Sequence, residues 1–141
     1  MVQPGDWQVF SSSAPNGIFQ PEPRVSGPGN IARPGVLPHF SGTLRYLTTI
    51  AVTSGDAALP ALLDLGDAYE IVEVTLNGNA LGARICPPYR FEVTGLLREG
   101  TNELQIDVTN TLAKAWGDQN PFDRSMPQEP SGLVGPVRLL F

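Results

Sequence analysis

Alternation of apolar and polar residues is clearest over residues 103–110, where Leu104, Ile106 and Val108 fall between Glu103, Gln105, Asp107 and Thr109. A period of two with one apolar side is that of a strand with one wet face. The same reading predicts strands over 43–52, with Leu44, Tyr46, Ile50 and Val52 on one side, over 70–76 with Val72, Val74 and Leu76, and over 89–94 with Tyr89, Phe91 and Val93. A fifth is predicted over 137–141, and weaker ones over 7–10, 62–65 and 83–85. Asn77-Gly78 supplies the two positive-φ positions of a type I′ hairpin turn, and Gly100-Thr101-Asn102 is a second turn signal. No stretch of ten or more residues keeps a 3.6-residue apolar period. Residues 94–98 suffice only for one helical turn capped by Thr94. Many short strands with one apolar face each are best satisfied by two sheets packed face to face. The expected fold is therefore all-β, a two-sheet antiparallel β-sandwich.

Two long segments break the rhythm. Residues 11–38 hold six prolines in 28 positions and are expected to wrap the sandwich as irregular chain, because proline cannot donate to a ladder. Residues 111–133 form the second, with Trp116, Gly117-Asp118-Gln119-Asn120 and Phe122-Asp123-Arg124. Loops of this length inside a domain are usually functional or disordered. With 141 residues the whole chain is expected to form one domain: an irregular segment over 1–39 carrying a weak N-terminal strand, and the core sandwich over 40–141.

Composition narrows the function classes. The net charge is −5, Lys114 is the only lysine and the eight arginines form no run, which argues against a nucleic-acid partner held through its phosphates. No apolar run approaches the roughly 18 residues of a membrane helix, so no membrane partner is expected. Residues 1–6 lack the basic and apolar regions of a signal peptide, and the finish at Phe141 inside an apparent strand is expected of a chain cut at a domain edge. Cys86 and His39 are each the single residue of their type, which rules out an internal disulfide, most Cys/His metal sites and any Ser-His-Asp triad not built on His39. His39, beside Phe40 at a strand entry, reads as a structural residue.

Several segments follow one another in a familiar order: Phe40-Ser41-Gly42-Thr43-Leu44-Arg45-Tyr46, Leu63-Asp64-Leu65-Gly66, Val74-Thr75-Leu76-Asn77-Gly78 with Leu81-Gly82, and Pro87-Pro88-Tyr89. Val93-Thr94, residues 99–104, Val108-Thr109-Asn110 and Gly132-Leu133-Val134-Gly135-Pro136-Val137 complete the set. Over residues 40–141 this order resembles the galactose-binding-like jelly-roll, sugar-binding domain of glycoside hydrolase family 2 and related α-L-rhamnosidase-like enzymes. One position departs: where such domains often have Trp shortly before Pro-Phe or Pro-Tyr, this chain has Ile85-Cys86-Pro87-Pro88-Tyr89. The resemblance implies a jelly-roll that accompanies a catalytic domain carrying the two carboxylates, in an extracellular or periplasmic protein.

The residues themselves offer few catalysts. Glycoside hydrolysis uses two carboxyl groups roughly 5–10 Å apart, one with a raised pKa. Glu103 and Asp107 share a strand face, but four residues separate them by about 13 Å; Glu92 is a candidate to face them. The plainer reading of these acids is solvated charge on an exposed sheet. Sugar recognition uses an exposed aromatic ring against the C–H face of a pyranose, flanked by groups that bond hydroxyls. Trp116 with Asp118, Gln119, Asn120 and Arg124 is the local candidate for it, the alternative being that Trp116 and Phe122 pin a long loop to the sandwich edge. Trp7 and Tyr46 read as core; Tyr69 and Tyr89 read either way. No cofactor is expected. A structural Ca²⁺, common in such jelly rolls, has Asp118 and Asp123 as conceivable ligands, but no spacing forms a recognised calcium loop. The reading is a non-catalytic, carbohydrate-associated module, with an oligosaccharide, a polysaccharide or the parent enzyme's catalytic domain as partner. The alternative is a purely structural or protein-interaction sandwich.

Overall fold

The two strands with the strongest alternation pair with each other. The computed structural model describes residues 4–12, 18–22, 25–29, 42–69, 71–85, 88–109 and 132–141. In it β3 (Thr43–Val52) and β9 (Gly100–Thr109) run antiparallel over their full ten residues. Around this pair stand β1 (Trp7–Ser12), β2 (Gln20–Pro21), β6 (Ile71–Leu76) and β7 (Asn79–Arg84), giving a six-stranded sheet in the order β2-β1-β3-β9-β6-β7. The second layer is built from β4 (Leu62–Asp64), β5 (Asp67–Tyr69), β8 (Arg90–Glu92), β10 (Gly132–Gly135) and β11 (Arg138–Leu140), paired as β11-β4-β8 and β10-β5. All pairings are antiparallel. The architecture is the expected two-layer β-sandwich.

The core lies between the layers. Leu44, Tyr46 and Ile50 of β3, Val72, Val74 and Leu76 of β6, and Leu104, Ile106 and Val108 of β9 meet Leu63, Ala68, Phe91, Leu133 and Leu139 from the second layer in one buried cluster. Trp7 packs at its margin, its ring edge-on to Tyr46 at 6.2 Å between centroids. Tyr46 is fully buried, at 0 % exposure, and its hydroxyl crosses the core to accept the backbone N–H of Leu133 in β10 at 3.2 Å. Burial pushes the phenol up from 10.0 to about 12, the Leu133 hydrogen bond opposing part of that rise.

The second layer bends where the chain passes from β4 to β5 and from β10 to β11. Because β11 pairs with β4 and β10 with β5, both chains bend at one place. Gly66 sits there at φ +67°, and a Cβ on it would lie 2.4 Å from the carbonyl carbon of Gly135. The bend is held by Asp64, 5 % exposed. One of its carboxylate oxygens accepts the Gly66 N–H at 2.9 Å and the other the Arg138 guanidinium at 3.1 Å, with Arg90 at 3.7 Å. A carboxylate this buried needs such partners.

Several local expectations are corrected. The turn after β8 is not helical: Leu96 N–H meets the Val93 carbonyl, and the Thr94 hydroxyl bonds the backbone of Ala61 and the carboxylate of Glu92 instead of capping its own turn. The helical turn lies at α1 (Ser54–Ala57), where the Thr53 side chain accepts the Asp56 N–H. Part of the segment expected to be irregular is strand: β1 runs to Ser12 and β2 follows at the sheet edge, the one place a ladder tolerates Pro21. The strand expected over 83–85 starts earlier, at Asn79, and Gly132 and Leu133 belong to β10. Among the described residues no helix is long and apolar enough to cross a membrane.

Two outcomes follow for stability. Gly66→Ala combines positive φ with backbone overlap and is expected to cost at least about 3 kcal/mol in urea unfolding. Gly78→Ala, also at positive φ but with nothing within 4 Å, should cost only about 1–2 kcal/mol; equal effects would show that the close approach is immaterial. For Tyr46, the unfolded chain releases its phenolic proton near pH 10 and the folded chain near 12. Stability is therefore complete below pH 10 and falls as pH rises to 12, by roughly 2–3 kcal/mol. Tyr46→Phe should lose about 1–3 kcal/mol at neutral pH, because the Leu133 N–H is left unpaired, and should show a shallower decline in alkali.

Candidate functional site

The alternation that builds the core leaves the other side of the six-stranded sheet polar. Register places Gln8 beside Leu47, Leu47 beside Gln105 and Gln105 beside Thr75 in one cross-strand row, with Thr49 beside Glu103 in the next. These residues, with Asp6 on one flank and Gly78 at one end, line an open depression of about 560 Å³. That volume lies within the roughly 300–1,000 Å³ range of small-molecule sites. The Gln8, Thr49, Thr75, Glu103 and Gln105 side chains make no hydrogen bond to another described residue.

The floor is held from two sides. One row away, Arg45 forms a two-pronged ion pair with Asp107, both bonds at 3.0 Å, and its guanidinium lies 3.9 Å above the Phe19 ring. The hydrogen bond with Asp107 raises the pKa of Arg45 against the opposing effect of burial. At the far end Asn77 and Gly78, both at positive φ, make the hairpin turn between β6 and β7 read from the sequence. Asn77 gives its amide N–H to Asn102 Oδ1 at 2.9 Å and accepts the Glu103 N–H at 2.8 Å. Asn102, wholly buried, in turn accepts the Arg98 N–H and donates to the carbonyls of Arg98, Gly100 and Ile50. This amide pair explains why the turn holds its place over β9.

The residues singled out from the sequence fall as follows. Trp116, Asp118, Gln119, Asn120 and Arg124 lie outside the described residues, as do Asp123, His39 and Cys86. Glu103 and Asp107 share the outer face of β9, as read. The expectation that Glu92 faces them is overturned: β8 belongs to the opposite layer, with Phe91 turned into the core and Glu92 to solvent on the far surface. The sandwich separates these acids. Tyr46 and Tyr89 are buried. Among the described residues no group of three or more His, Cys, Asp or Glu could hold a metal ion. Sequence reasoning passed over Gln8, Leu47, Thr49, Thr75 and Gln105. Their signal was present as the polar half of each alternating strand, but their union depends on β1, β3, β9 and β6 lying side by side.

No family model matches the chain. A putative β-glucuronidase of Formosa agariphila is 34 % identical over 91 residues, which are 63 % of this chain and 8 % of that protein. Among solved structures, a rhamnosidase from Novosphingobium sp. PP1Y superposes with a TM-score of 0.76 at 29 % identity, over 99 % of this chain and 14 % of its own. A Bifidobacterium dentium β-glucuronidase complexed with coumarin-3-O-glucuronide gives 0.59 at 25 % identity, over 77 % and 20 %. A β-D-mannosidase from Dictyoglomus thermophilum, at 16 % identity and 0.66 over 99 % and 22 %, shares the fold alone. The chain thus spans less than a quarter of the length of each of these proteins. In fold and sequence it is similar to the galactose-binding-like jelly-roll, sugar-binding domain of glycoside hydrolase family 2 and related α-L-rhamnosidase-like enzymes.

Proposed function

We propose that the chain is a non-catalytic, carbohydrate-associated module of a larger glycoside hydrolase. The observation that carries this reading is one of proportion: 99 % of the chain superposes on 14 % of a rhamnosidase, so the whole chain corresponds to a small part of an enzyme. The acids support it. Glu92 is divided from Glu103 and Asp107 by the sandwich, and Asp107 and Asp64 are engaged by arginines. A general acid and its partner need a shared cleft. In this reading residues 1–141 act as one sandwich, and Trp116, flanked by Asp118, Gln119, Asn120 and Arg124, meets a sugar.

A scaffolding role is favoured by one specific feature. Ile71, at the start of β6, and Ile85, just after the end of β7, are 39 % and 74 % exposed and adjoin the Val72–Arg84 pair on one side, an apolar spot suited to packing against the catalytic domain.

The test uses the purified chain. It is expected to release no aryl group from aryl rhamnosides, glucuronides or mannosides; turnover that disappears on replacing one of its own carboxylates would overturn the reading. Tryptophan fluorescence across a glycan panel is expected to respond, and Trp116→Ala to remove that response. A response unchanged in the variant rejects the Trp116 assignment.

A further inference from the structure

We infer that the depression on the outer face of the six-stranded sheet is a second glycan-contacting surface, independent of residues 111–133, and that it takes neutral oligosaccharides and rejects uronate-containing ones. The inference rests on the accessory-module reading and adds a location and a chemical class to it.

The first ground is the kind of side chain brought together. Gln8 and Gln105 each offer an amide donor and acceptor, Thr49 and Thr75 each a hydroxyl, and none of them is bonded to another described residue. Mixed donors and acceptors in a shallow groove match the vicinal hydroxyls of a sugar, each of which both donates and accepts. Leu47 lies between the two glutamines in the cross-strand row, an apolar spot for the C–H side of a ring among groups that fix its hydroxyls. The row spans four strands, roughly 14 Å at the usual strand spacing, which is longer than one pyranose. An oligosaccharide segment fits that length better than a monosaccharide.

The second ground is charge. Asp6 and Glu103 border the depression with no cation among its lining residues, and Glu73 and Asp107 stand in the adjacent row. Arg45, the cation that the described residues of β3 and β9 place on this face, is engaged by Asp107 and covered by Phe19. Arg84 is turned the other way, over Phe91 of the second layer. A neutral polyol can donate hydroxyl hydrogen bonds to Asp6 and Glu103, whereas a uronate would meet like charge with no counter-ion among the described lining residues. The electrostatics of the described residues therefore select against acidic sugars, in contrast to the glucuronide with which the Bifidobacterium dentium enzyme is complexed.

The experiment is an NMR titration of the full chain with cellotetraose, mannotetraose and xylotetraose as neutral probes and trigalacturonate as the acidic one. At least one neutral probe is expected to shift the amides of Leu47, Thr49 and Gln105 saturably, trigalacturonate to shift none of them, and Trp116→Ala to leave these shifts in place. The Gln8→Ala/Gln105→Ala double variant, with both changes on solvent-facing strand positions, should weaken the neutral probe by about ten-fold while an unaltered amide spectrum elsewhere shows the fold intact. The proposal is overturned if no probe shifts these amides, if all shifts vanish with Trp116→Ala, or if trigalacturonate binds as well as the neutral probes. Each of these leaves the accessory-module reading standing, since only turnover by the chain itself removes that.

Discussion

A phenol in the middle of a sandwich must find a hydrogen-bond partner there, and Tyr46 finds it on the far layer. Its hydroxyl accepts the Leu133 N–H, so β3, in the middle of the large sheet, is tied to β10 of the other layer at a fixed offset. Apolar contacts alone tolerate sliding, because dispersion is nearly isotropic; a buried donor and acceptor that lose each other do not. The bend of the second layer depends on the same alignment. β10 can follow β5 around the corner only if Leu133 stays over Tyr46 while Gly135 stays against Gly66. Asp64 fixes the other half of the corner, binding the Gly66 N–H on one side and Arg138 of β11 on the other.

This arrangement frees the opposite face of the large sheet. With Leu44, Tyr46, Leu104 and Ile106 committed to the core, the alternate positions of β3 and β9 turn to the other side of the sheet. Two local devices brace that face. The Arg45–Asp107 pair, stacked on Phe19, ties β3, β9 and the chain entering β2 together at one level, and the Asn77–Asn102 amides clamp the hairpin turn to β9 at the other. An exposed ion pair alone contributes little, but a planar, two-pronged one beneath an aromatic ring sets geometry. Between the two clamps lies the depression.

Much of this was legible in the chain. Alternation over 43–52, 70–76 and 103–110 identified the strands that carry the core, and Asn77-Gly78 announced its turn, because these signals are local. What was not legible depended on distant partners. β5 and β10 are too short and too rich in glycine and polar residues to show a period, and exist because they pair with each other around a bend. Thr94 looked like a cap because Thr often is one, but the Ala61 backbone, more than thirty residues away, competes for its hydroxyl. Glu92 looked available to Glu103 because sequence does not reveal which layer a strand enters. The lining of the depression was hidden for the same reason: Gln8, Leu47, Gln105 and Thr75 come from four separate strands whose adjacency is a property of topology.

That separation between core and face bears on what can be carried over from relatives. Residues that hold the sandwich, such as Tyr46, Asp64, Gly66 and Asn102, answer to packing, and substitutions there act on stability. Residues on the outer face answer to whatever they touch, so two proteins can share the jelly roll at 16–29 % identity and present unrelated surfaces. A fold shared with a rhamnosidase, a glucuronidase and a mannosidase consequently fixes the scaffold, while what that scaffold contacts is decided by a few side chains that the core does not constrain. In this chain the described side chains around the depression are amides, hydroxyls and the carboxylates of Asp6 and Glu103, and in the reading proposed above it is their chemistry, more than the neighbours' substrates, that sets which glycan can approach.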